Sequence, residues 1–132
     1  PQKFLSASQA AESAFRALVA SYSLAKTYKV KFLAVLQPTI VQKKKLHPVE
    51  EFLYNNPTST WRSNGQQSLT LIKDYYQELS NMLKNSTIPY VDLSNMFADN
   101  ENWIFMDEIH LNTQGNFEIA KFLAPKIRQL FK

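Results

Sequence analysis

Glycine is nearly missing from this chain: it occurs twice in 132 residues, at Gly65 and Gly115, against about 7% in ordinary proteins. Enzyme sites use glycine where backbone turns with positive φ or closes on a ligand, so its scarcity fits a piece whose glycine-bearing loops lie elsewhere. Cysteine is absent altogether, which excludes disulfides and cysteine-ligated metal but fixes no compartment. Two histidines without a clustered set of carboxylates make a poor metal-dependent hydrolase site, and neither a metal nor an organic cofactor is expected. No apolar run reaches the roughly 18 residues of a membrane span, and no signal-peptide pattern occurs. The net charge of +4 has one cluster, Lys43-Lys44-Lys45, with no aromatics interleaved. Nucleic-acid binders carry a broader basic stripe, so the run reads as a solvated loop.

What remains is an ordinary globular composition, 45% hydrophobic and 20% charged, with a length that suits one small domain over residues 1–132. The chain opens at Pro1 with a helix almost at once, which reads as a processed, cleaved or partial product. Ser6 to Tyr28 carries apolar residues at Ala11, Phe15, Leu18, Val19, Tyr22 and Ala25, the spacing of one buried helical stripe. Ser6 and Gln9 fit a capping box. Val30 to Leu36 is a nearly continuous apolar run, as in a strand buried on both faces, ended by Gln37-Pro38.

Residues 41–64 are the least regular. Pro48 suits the first position of a short helix, His47 before it reads as exposed, and Asn55 to Thr60 reads as loop. In open α/β sheets ligands bind beyond the carboxyl ends of the strands, where this stretch would lie. It is therefore a candidate substrate lid, and Trp61 either covers a pocket or anchors the loop to the body. Gln66 to Lys84 is a second amphipathic helix with Leu69, Ile72, Tyr76, Leu79 and Leu83 on one face. Ile88 to Leu93 is a second short strand, in which Asp92 reads as a turn cap or, alternatively, a catalytic acid. A final helix from about Thr113 to Phe131 should face Ala120, Leu123, Ile127 and Leu130 inward, with Pro125 kinking or dividing it. The order helix, strand, helix, strand, helix gives an α/β fold with parallel strands joined by a right-handed crossover. Two strands make a poor sheet with an open edge, so a complementary half is expected.

The chemistry is concentrated between Phe105 and Ala120. Asp107 and His110 stand three positions apart, close enough for the carboxylate to accept the ring proton and hold the imidazole in one tautomer. The block Asp-Glu-Ile-His-Leu-Asn-x-x-Gly-x-x-x-Ile-Ala resembles the last block of the SGNH (GDSL-type) serine hydrolases. The resemblance implies His110 as general base, Asp107 as its orienting carboxylate, and a flavodoxin-like three-layer α/β/α fold with a parallel sheet, of which this chain is the C-terminal part. It also implies a strand-end turn at the rim of the site, which makes Gln37 a candidate substrate contact. On turn chemistry alone Gln37 is a plain strand terminus.

The chain departs from the family in one essential respect. No Gly-Asp-Ser or Gly-x-Ser block is present, and the family's oxyanion glycine and Gly-x-Asn asparagine are missing too. The resemblance thus implies the C-terminal half of an ester hydrolase, inactive alone, whose serine comes from an N-terminal half or a companion chain. A small-molecule ester is the expected substrate, with no nucleic acid and no membrane span. The alternative is a catalytically dead α/β module that serves binding or assembly.

Overall fold

The computed structural model describes residues 5–56 and 65–132. Six regular elements follow in order: α1 (Ala7–Thr27), β1 (Ala34–Leu36), α2 (Pro48–Asn55), α3 (Gly65–Lys84), β2 (Tyr90–Asp92) and α4 (Thr113–Leu130), with a single 3₁₀ turn at Ile40–Gln42 between β1 and α2. The fold is α/β. The two strands pair in parallel, with Ala34 opposite Tyr90, Val35 opposite Val91 and Leu36 opposite Asp92. The connection between them runs through α2 and α3, as parallel strands require. Among the described residues no helix is long and apolar enough to cross a membrane.

Helix α1 starts as its sequence directs. Ser6 Oγ accepts from Gln9 N–H at 3.2 Å, and Gln9 Oε1 accepts from Ser6 N–H at 2.9 Å, completing the capping box. Its far end closes with Lys29 in the left-handed region, φ 55°, and with Val30 N–H donating to Ala25 O at 2.8 Å. This is the long bond that closes a helix with a left-handed residue past its last turn.

The helix closure and a short partner strand explain why β1 is briefer than its apolar run. Val30 belongs to the helix closure, and β2 offers only three residues for pairing. The run is also covered on one face only. Ala34 and Leu36 are buried, while Val35, on the opposite face, is 42% exposed. The covering layer is α1 and α3: Ala11, Tyr76, Leu79 and Leu83, joined by Ile88 from the segment before β2, close over Ala34 and Leu36 in one core cluster. The expected inward face of α3 is buried or half-buried throughout.

A second cluster lies past the carboxyl ends of the strands. Ile40, Leu69, Phe97, Ile104 and Phe105 form its centre, with Val41, Leu46, Leu53, Tyr54, Leu111 and Ile119 packed around them. The expectation of a lid over 41–64 is therefore wrong for 41–55, because that segment supplies core residues. Trp61 and the rest of the loop expectation at 57–64 lie outside the described residues. The lysine run divides likewise. Lys44 and Lys45 are exposed beside Asp99 and Glu101, but Lys43 is buried and ion-paired to a buried Glu50.

Only the first two turns of α4 are firmly seated. Gly115 is buried and Ile119 joins the second cluster, whereas Ala120 and Ile127 are exposed and Leu123 and Leu130 half-buried. The expected inward stripe is thus at most half-buried among the described residues, so amphipathic spacing did not become full burial. Pro125 does not divide the helix. It forgoes one backbone bond, a loss that a helix lying at the surface can satisfy with water.

Candidate active site

The Asp107–His110 segment is the tip of a tight antiparallel loop. Phe105 and Leu111 face each other across it as an isolated bridge. Met106 N–H donates to His110 O at 2.8 Å, and Asn112 N–H to Ile104 O at 2.8 Å. Below the tip, Ile104 and Phe105 are sunk in the second core cluster. Beside it, Ile40 N–H donates to Glu108 O at 3.1 Å, which ties the tip to the chain leaving β1. The loop thus sits beyond the carboxyl end of β1, where open α/β sheets place their ligands.

Within the tip, one carboxylate organises everything. Asp107 Oδ1 accepts from Ile109 N–H at 2.9 Å and from His110 N–H at 2.7 Å. Asp107 Oδ2 lies 2.6 Å from His110 Nδ1. Partial burial pushes the Asp107 carboxyl up, but the His110 and Ile109 backbone N–H groups and the His110 ring outweigh it, and the net value lies below the ordinary carboxylate range. Asp107 is therefore ionised at neutral pH and can only accept, which places the proton on Nδ1 and leaves the lone pair on Nε2. The His110 side chain is 72% exposed. An exposed imidazole with Nδ1 held by a buttressed carboxylate is the arrangement a general base needs.

The helix behind the loop is fixed by the same few residues. Asn112 caps α4, its Oδ1 accepting from Gly115 N–H at 2.9 Å, while its Nδ2 donates to Trp103 O at 2.7 Å. Trp103 Nε1 donates to Phe105 O at 2.6 Å. Gly115 is not needed for a turn, since it lies in the first turn of the helix and no glycine among the described residues has positive φ. It is needed for close packing: a Cβ there would meet Ile104 Cγ2 at 2.9 Å and Leu111 Cβ at 3.1 Å.

The other candidates stand elsewhere. Gln37 is exposed, contacts the Tyr76 hydroxyl, and lines a cavity of about 470 Å³ between α1, β1 and α3 whose walls include no residue of the Asp107–His110 loop. Asp92 behaves as the turn cap: it accepts from Ser94 N–H at 2.9 Å and from Ser80 Oγ at 2.8 Å. Burial pushes its carboxyl up, and the Ser94 and Ser80 bonds, with Lys84 nearby, bring it net below the ordinary range. His47, expected to be exposed, is half-buried and serves as the N-cap of α2, its Nδ1 accepting from Val49 N–H at 3.3 Å. Among the described residues no three His, Cys, Asp or Glu side chains gather as a metal site would require.

Sequence reasoning missed Glu50. Its Oε1 accepts from Ile104 N–H at 2.8 Å and Phe105 N–H at 2.9 Å. Its Oε2 accepts from His47 N–H at 2.9 Å and from the Lys43 ammonium. Burial pushes the carboxyl up, but Lys43 and the three backbone donors overcome it and hold it below the ordinary range. A trace was legible: His47-Pro48-Val49-Glu50 puts a glutamate at the third helical position, where a capping box wants one.

The fold and the site together define a class: an α/β chain with a parallel strand pair and, past its carboxyl end, a loop presenting a carboxylate-held histidine. No family model matches the chain, and no curated protein matches it.

Proposed function

We propose that this chain supplies the base-bearing half of an SGNH-type serine ester hydrolase, in a flavodoxin-like three-layer domain completed by other sequence. The observation that carries the reading is the 2.6 Å contact between His110 Nδ1 and an Asp107 carboxylate already fixed by two backbone donors. His110 Nε2 takes the proton of a serine hydroxyl as that oxygen attacks the ester carbonyl. Asp107 steadies the imidazolium, and His110 then protonates the leaving alcohol. Water, deprotonated by the same ring, releases the acyl group and returns the serine. The serine and the oxyanion donors come from outside these residues, because no Gly-x-Ser block is among them.

The exposed face of the strand pair supports the completed domain: Val35 is exposed opposite the α1–α3 layer, and among the described residues each strand pairs only with the other. The exposed apolar side chains of α4, Phe117, Phe122 and Ile127, with Phe131 just past its end, also favour the second reading, an inactive assembly module.

Aryl-ester hydrolysis by the purified chain separates these readings from one further case. The proposal expects no turnover above buffer, since a histidine–carboxylate pair without nucleophile or oxyanion donors is a weak catalyst in water. Saturable turnover would place the nucleophile within the chain and overturn the reading. Ser94, after β2, would then be the first serine to replace.

A further inference from the structure

We infer that Glu50, held by Lys43, is the positioning residue of the Asp107–His110 loop. The inference rests on the reading of His110 as a general base. The Lys43 and Glu50 side chains are both fully shielded from solvent. Lys43 also donates to Asn102 O at 2.6 Å, so the pair grips the strand-like lead into the loop at Asn102, Ile104 and Phe105. Buried ion pairs are a poor source of stability, because desolvation cancels much of their attraction, whereas removing one partner leaves an uncompensated charge. What such a pair supplies here is register. Two parallel N–H bonds from consecutive residues to one oxygen fix the backbone just two residues ahead of Asp107.

The loop needs an anchor of that kind. Its tip is at the surface, with Met106, Ile109 and His110 exposed, and the bonds that join residues 104–112 to Glu50, Trp103 and Asn116 lie at the base of the loop rather than at Asp107 or His110. Catalytic groups must keep their geometry within a fraction of an ångström, which requires a rigid supporting layer. The Glu50 carboxylate connects the base of the loop to α2, whose N-terminus it caps through His47.

The test is the ring N–H signal of His110 in proton–nitrogen NMR of the whole chain. An Nδ1–H donated to a carboxylate is shifted far downfield, and because the His110 side chain is 72% exposed the spectra are recorded cold and slightly acidic to slow its exchange with water; Asp107→Asn assigns it. Two variants act on the anchor: Glu50→Gln removes the charge at constant shape, and Glu50→Asp keeps the charge but draws the carboxylate back. Leu83→Ala is the control, because Leu83 lies in the α1–α3 core away from the loop.

At temperatures where all are folded, the proposal expects both Glu50 variants to lose the signal. Exchange of the Ile104 and Phe105 amides should rise by about tenfold or more. Leu83→Ala, though less stable, should keep it. A signal that survives both Glu50 variants, or one lost equally in Leu83→Ala, overturns the positioning role alone. A wild-type spectrum without any Asp107-dependent ring signal overturns the base reading and this inference with it. Where neither Glu50 variant folds, wild-type exchange in rising denaturant decides. The His110 ring and the Ile104 and Phe105 amides should open in one step, and separate openings overturn the role.

Discussion

Replacing Gly115 with alanine tests how tightly helix α4 is pressed onto the loop that carries His110. Two effects oppose each other. Alanine favours a helix by about 1 kcal/mol over glycine in an interior position, and by less in a first turn. Against that, the new methyl would lie 2.9 Å from Ile104 Cγ2, 3.1 Å from Leu111 Cβ and 3.3 Å from Leu111 Cδ2. The two nearest of these atoms do not give way readily. Ile104 is 1% exposed and its branched side chain has little rotamer choice. Leu111 Cβ moves only with the backbone that bridges to Phe105.

Overpacking of that kind costs about 1–3 kcal/mol, so the net expected change is a loss of about 1 kcal/mol. For a chain of this size that lowers the melting temperature by about 3–5 °C, readable by far-ultraviolet circular dichroism of the helices. The displaced atoms flank the histidine, so the His110 ring signal should also shift. An unchanged or raised melting temperature would refute the close approach, and with it the account of why glycine stands at this position.

The other expectations concern local strain and acid. Lys29 holds φ 55° past the end of α1, a conformation glycine adopts freely, so Lys29→Gly should gain about 0.5–1 kcal/mol; a lower melting temperature would contradict the assignment of strain there. Glu50 and Asp107 both have folded values below their unfolded ones. Their contribution is complete above unfolded values of about 4.3 and 3.9 and is lost as pH falls through the lower folded values. Urea midpoints should therefore drop from pH 6 to about pH 3, less so in Glu50→Gln; equal wild-type midpoints would remove the case for depressed carboxyls. Lys43→Met should cost about 3–5 kcal/mol by stranding a buried carboxylate, and a loss below about 1 kcal/mol would show that water reaches Glu50.

What could be read from sequence was local or close in the chain. The Ser6–Gln9 capping box, the inward face of α3, and the Asp107–His110 pair each depend on residues three or four apart, and each forms as expected. The parallel pairing of β1 with β2 was also legible, because a helix between two short apolar runs leaves little alternative. The failures involve partners far along the chain. Lys43 looked solvated among its lysine neighbours, yet its partners include Asn102, 59 positions away. Glu50 was given no role, yet it meets backbone donors 54 and 55 positions away. The stripe on α4 was real as a pattern, but a pattern names a face without naming what covers it.

The role of His110 is tested most directly by joining the chain to a Gly-Asp-Ser-bearing segment that completes the domain and measuring ester hydrolysis. The account predicts turnover that His110→Ala abolishes. Asp107→Asn should lower it by a large but smaller factor than loss of the serine, up to about 10⁴-fold, because the ring is then held in the wrong tautomer. Full activity retained in His110→Ala would contradict the account.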